Sequence, residues 1–137
     1  MRASRTHSEA SILLAGVRRR CLALPEVTEG LTHGGPTWFV RARRSFVKFV
    51  DPEEHPQLAL PEIAIWAAAP PGARQELIAA APDRFFAPRF GGRDWVGMRL
   101  DPEPEWDEVG EIIADAYRQV APKGLSARLD GTHPQVE

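Results

Sequence analysis

The chain has 137 residues, of which 43% are hydrophobic and 26% charged, and a net charge of −2. That length supports one domain with its own core but not two, and the near-neutral charge excludes a polycation that binds nucleic acid through bulk charge alone. No apolar run approaches the roughly 18 residues of a membrane span, so no membrane partner is expected. One cysteine, Cys21, excludes an internal disulfide and a cysteine-based zinc site. The basic start, Met1-Arg2-Ala3-Ser4-Arg5, precedes an apolar stretch interrupted by Arg18-Arg19-Arg20 and lacking a cleavage-site pattern. No signal peptide is read there, and a cytoplasmic protein is expected.

Thr6-x-x-Glu9 is a capping-box pattern that opens a helix with the stripe Leu13, Val17, Cys21 and Leu24. This helix should end before Pro25, because the residue ahead of a proline is pushed out of helical geometry. Thr28-Glu29-Gly30 reads as an acidic turn and Gly34-Gly35-Pro36 as another turn. Residues 37–40 and 45–50 are rich in β-branched and aromatic side chains, and Arg41–Arg44 joins them as a hairpin. Residues 63–68 read as a third strand, approached through Pro56 and Pro61. Pro71 and Pro82 bracket a short helix over 71–81, with Leu77 and Ile78 turned inward. Phe85–Phe90 and Trp95–Leu100 read as a second hairpin turning at Gly91-Gly92-Arg93-Asp94. In its second strand Val96, Met98 and Leu100 alternate with Trp95, Gly97 and Arg99, which separates a buried face from an exposed one. The last helix covers 104–121, with Trp106, Val109, Ile113, Ala116, Tyr117 and Val120 as its apolar face, and Pro122 ends it. Residues 1–122 are read as the domain and 123–137 as a frayed, flexible tail. The order α-β(3)-α-β(2)-α implies an α+β two-layer sandwich: one mostly antiparallel five-stranded sheet, helices on one face, the other face open.

The segment Cys21-Leu22-Ala23-Leu24-Pro25-Glu26-Val27-Thr28-Glu29 and the His33-Gly34-Gly35-Pro36 corner come first. Phe85-Phe86, Trp95–Leu100 and Asp115–Val120 follow, in an order that resembles the MmcQ/YjbR family over residues 8–121. The resemblance implies a two-layer sandwich of the kind compared with frataxin-type and secretion-chaperone-type folds, and with a double-wing DNA-binding sheet.

Nucleophilic catalysis needs a nucleophile beside a base and an orienting third group. Cys21 lies on the apolar stripe of the first helix, where a thiol acts as a small hydrophobe. The serines lack an elbow motif, and His7, His33, His55 and His133 are not paired at helical spacing. His33 stands in a motif, ahead of Gly34-Gly35, as a hydrogen-bonded corner residue or else as a ligand or base. Neither glycine pair has the context of a phosphate loop. No catalytic centre and no cofactor are therefore expected. Asp101, Glu103, Glu105, Asp107, Glu108, Glu111 and Asp115 form an acidic run without a base, which invites comparison with frataxin-type cation binding. Acids ahead of a helix start are also favoured by its dipole, and no histidine or cysteine joins them. No metal site is expected.

The arginine-rich hairpins are the sharper candidate. Arg41, Arg43, Arg44 and Lys48 on the first, with Arg89, Arg93 and Arg99 on the second, would flank an open sheet face and grip double-stranded DNA. A two-stranded ribbon fits the major groove, and arginines contact both phosphates and guanine edges. The alternative is a protein-interaction or chaperone-like module that uses Trp38, Trp66 and Trp95 on an exposed aromatic face.

Overall fold

A computed structural model describes residues 7–54, 62–88, 94–100 and 103–131. The elements run α1 (His7–Leu22), β1 (Val27–Thr32), β2 (Gly35–Val40), β3 (Arg44–Val50) and β4 (Ala64–Ala67). They continue with α2 (Ala73–Ala80), β5 (Phe85–Phe86), β6 (Val96–Arg99), α3 (Trp106–Val120) and α4 (Lys123–Gly131). The expected α+β architecture is present, with an antiparallel sheet ordered β1-β2-β3-β4-β6-β5. Among the described residues it has six strands, not five. The added strand is β1, in place of the acidic turn expected at Thr28-Glu29-Gly30. Val27, Thr28, Leu31 and Thr32 suit a strand, and a tight return to β2 supplies the partner. His33 (φ 51°) and Gly34 (φ 82°) make that return with two consecutive left-handed residues, the backbone of a type I′ hairpin.

Two rows of side chains cross the sheet. Glu29, Trp38, Val47, Ala67 and Val96 share one register row, and Gly30, Thr37, Lys48, Trp66, Gly97 and Phe86 share the next. Because successive residues of a strand point to opposite faces, these rows lie on opposite sides. The first side receives the helices: α1 packs on β1 and β3, and α3 packs on β3 and β4. The stripe Leu13, Val17 and Cys21 of α1 is buried, as is the face Val109, Ile113, Ala116 and Tyr117 of α3. A Cβ at Gly16 would collide with the indole of Trp106, so a glycine there lets the two helices approach. Arg20 then lies 4.5 Å over the same ring.

The other side is not open. Trp66 is 2% exposed, and Thr37, Lys48, Val50 and Ala64 are buried with it. All four residues of β4 and the last five of β3 are buried, so alternation there separates two covered faces, not core from solvent. A bulge opposite Trp38 and Phe39 leaves Phe46 outside the pairing, and its ring packs edge-on against Tyr117 at 5.7 Å.

The second difference lies after Pro122. Over 123–131, the first part of the frayed tail expected for 123–137, the chain forms α4, with Leu125 buried and Leu129 packed on the core, and residues 132–137 lie outside the described residues. The Pro122 carbonyl accepts the Leu125 and Ser126 amides at 2.9 and 3.1 Å. A proline near the first helical position starts a helix as readily as it stops one.

Candidate nucleic-acid interface

The connection from β2 to β3 is built from Arg41, Ala42 and Arg43. Arg41 (φ 54°) and Ala42 (φ 56°) are both left-handed, and the Arg43 amide donates to the Val40 carbonyl at 3.0 Å. Such a turn favours glycine or asparagine at both central positions. Neither is present, so the turn holds strain on the order of 1–2 kcal/mol per residue. Glu26, also left-handed (φ 60°), locks it from the side. Its carbonyl accepts the Arg41 amide at 2.8 Å, and its Oε1 accepts from Arg41 Nε at 2.7 Å. Its second oxygen faces Nη1 of Arg128, from α4, at 3.7 Å. This corner therefore carries Arg41 and Arg128 at the Glu26 carboxylate, with Arg43 and Arg44 following Arg41 along the chain. The guanidinium groups of Arg43 and Arg44 are exposed and have no partner among the described residues.

The other expected contacts are placed differently. Lys48 lies in the covered row of the sheet, 9% exposed, and its ammonium donates to the Thr32 carbonyl. Burial lowers its pKa from the ordinary lysine value. It is therefore turned away from the arginine corner: the bulge at Phe46 leaves Arg44 opposite Val40, on the Trp38 side of the sheet, and Lys48 opposite Thr37 on the other. Arg99 is half-buried: Nε pairs with Glu62 at 3.0 Å, Nη1 donates to the Pro82 carbonyl at 3.3 Å, and the guanidinium lies 4.8 Å over the Phe86 ring. Arg89 and Arg93, together with the Gly91–Arg93 part of the second turn, lie outside the described residues. So do His55, His133 and Asp101. The structure thus brings Arg41, Arg43 and Arg44 together and leaves Lys48 and Arg99 in internal roles. The aromatic alternative loses its surface as well: Trp38 and Trp66 are buried and Trp95 is half-buried.

Beneath the corner is a rigid frame. Glu29 accepts from Arg18 Nε and Nη2, both at 2.8 Å, and from Trp38 Nε1 at 3.0 Å. The Arg18 hydrogen bonds hold its carboxyl below the usual glutamate pKa. Cys21 is fully buried beside this group, and burial pushes its thiol well above the ordinary range. Tyr117 donates to the Pro25 carbonyl at 2.7 Å and ties α3 to the segment that carries Glu26. Burial also raises the Tyr117 phenol.

Sequence reasoning missed Arg128 and the role of Glu26. Leu125 and Leu129, four residues apart behind Pro122, were the available signal for Arg128. For Glu26 there was none, since its partners are 15 and 102 residues away along the chain. In the acidic run, Glu108 pairs with Arg84 and Asp115 with Arg118. No group of three or more histidine, cysteine, aspartate or glutamate side chains suited to a metal ion occurs among the described residues. No described helix is long and apolar enough to cross a membrane.

Comparison with known proteins places this frame. The family model named YjbR matches residues 22–119. The fold is similar to a crystal structure of Deinococcus radiodurans protein DR2400, of the domain family DUF419, with a TM-score of 0.63 at 18% identity. That alignment covers 81% of this chain and 80% of the other. No curated protein matches the chain.

Proposed function

Since the chain belongs to the YjbR family, we propose that its domain is a non-catalytic module that binds duplex DNA through the β2–β3 turn. Arg43 and Arg44 would contact phosphates and base edges, with Arg41 and Arg128 adding charge behind them. The observation that carries this reading is the strained corner itself. Glu26, Arg41 and Ala42 all hold left-handed backbone, and backbone strain of this kind concentrates at functional sites. The corner also sets the exposed Arg43 and Arg44 beside Arg41 and Arg128, which meet at the Glu26 carboxylate. A two-stranded ribbon ending in such a turn is narrow enough for the major groove.

This reading is narrower than a grip by two flanking hairpins. Arg99 is held by Glu62 and Phe86 and Lys48 is buried, so among the described residues the β2–β3 hairpin and α4 would provide the contacts, while Arg89 and Arg93 lie outside them. With a net charge of −2, attraction is local to the corner, and binding depends strongly on salt. Fluorescence anisotropy with a labelled duplex of about 20 base pairs tests it. Wild type should bind at low ionic strength, and R43A/R44A should bind more weakly while keeping its melting temperature. No binding by wild type at low ionic strength rules the reading out.

A further inference from the structure

β1 is one edge of the sheet, and β5, of two residues, is the other. Natural sheets protect a long edge with proline, lysine, a bulge or a cover, because its free backbone groups are a template for another strand. β1 has six residues, none of them proline or lysine, and it pairs with β2 without a bulge. Its one charged side chain, Glu29, is neutralised within the chain by Arg18.

The ladder fixes which backbone groups of this edge are free. The Glu26 carbonyl accepts the Arg41 amide, so these two residues face each other as a hydrogen-bonded pair. Antiparallel pairs alternate between bonded and non-bonded, so Thr28, Gly30 and Thr32 bond to β2, while Val27, Glu29 and Leu31 turn their amides and carbonyls away from it. Those outward groups meet no partner among the described residues. The accessibility agrees. Glu29 is an exposed residue although its side chain is only 25% exposed, so what solvent reaches is largely its backbone. Leu31, on the same strand, is 73% exposed.

This edge is also complementary to itself. When a second β1 runs antiparallel to the first about Glu29, Val27 of each copy faces Leu31 of the other on the helix-bearing side, and Thr28 faces Gly30 on the opposite side. Three bonded pairs then use every outward amide and carbonyl, giving about six hydrogen bonds. The two Glu29 carboxylates meet near the axis, each held by its own Arg18, so two acids and two bases gather there without net charge. A shift by two residues sets Glu29 against Leu31 or Val27 and loses a bonded pair.

We infer that two copies of this chain associate edge to edge through β1, antiparallel about Glu29, into one continuous sheet. Five residues on each side make an interface below the standard size of about 1,600 Å², so dissociation is expected at roughly 10–100 µM. The inference does not rest on DNA binding.

Sedimentation velocity of the full chain from about 5 µM to 1 mM, without DNA, tests it together with amide hydrogen exchange over the same range. The mass should rise from monomer to dimer, and the amides of Val27, Glu29 and Leu31 should slow in exchange by about fivefold or more as it does. Those of Thr28 and Gly30, already bonded to β2, serve as the internal reference. L31K sets a charge opposite Val27 at both ends of the paired strands, so it should weaken association about tenfold or more while keeping the melting temperature. If L31K lowers the melting temperature, the alternating exchange pattern of wild type, which needs no variant, decides alone. A chain that stays monomeric to about 1 mM overturns the inference and leaves this edge to an extended segment of another protein. A dimer whose edge amides exchange as fast as the monomer's, or a folded L31K that associates like wild type, overturns it as well, since the contact then lies elsewhere.

Discussion

The middle of β3 and the turn that precedes it carry cations for opposite reasons. Lys48 is buried in a row with Thr37 and Trp66, and its ammonium closes the Thr32 carbonyl on a strand two positions away in the sheet. Arg43 and Arg44, four or five residues earlier, project from a strained turn without a partner among the described residues. The fold needs the first and tolerates the second. A basic run in a sequence is therefore not one electrostatic object: the strand register divides it into a part that holds the sheet together and a part left exposed at the turn.

The sharpest way to break this comparison is to remove each part. K48A should lose the bond to Thr32 and the packing of the lysine stem, costing roughly 2–3 kcal/mol in urea unfolding. R43A/R44A should change stability by less than about 0.5 kcal/mol, as exposed unpaired side chains do. Equal costs at the two places would erase the distinction.

A second test concerns the frame between them. The Glu29 carboxyl is held below its unfolded value by Arg18, so between the folded pKa and 4.5 the unfolded chain binds more protons than the folded one. Stability from this group is therefore present above pH 4.5 and is lost as pH falls through the folded pKa. E29Q should remove that part of the acid dependence and cost about 1 kcal/mol near neutral pH, read from urea midpoints at two pH values. An unchanged acid slope would place the acid sensitivity elsewhere.

A smaller effect sharpens the account of strain. Glycine at position 42 relieves the left-handed penalty of about 1–2 kcal/mol and adds about 0.5–1 kcal/mol of chain entropy cost. A42G should therefore stabilise the domain by about 0.5–1 kcal/mol, while the freer turn should hold Arg43 and Arg44 less firmly and weaken binding to DNA. Destabilisation by glycine would contradict the strain at this turn.

Much of the frame was legible because its signals are local. The alternation Val96, Met98, Leu100 and the spacing Val109, Ile113, Ala116, Val120 depend on neighbours within one element, and all seven residues are buried or nearly so. The hairpin around Arg41–Arg44 was equally clear. β1 was not, since Glu29 and Gly30 read as a turn until Trp38 and Thr37 are placed opposite them. The burial of Lys48 and Trp66 likewise depends on a register between strands 18 residues apart. For the site, Arg41, Arg43 and Arg44 were visible in the run, whereas Arg128 required a helix behind Pro122 and Glu26 required the contact that closes the corner.

The central claim is that the arginine turn faces an external polyanion. The most direct measurement is the slope of log K against log salt for a DNA duplex, compared between wild type and R43A/R44A. Each phosphate neutralised contributes about 0.9 to the slope on duplex DNA, so losing both arginines should flatten it by up to about 2. The melting temperature should not move. A double variant that binds as tightly as wild type, with the same slope, would show that Arg43 and Arg44 do no more than keep a hairpin tip in water.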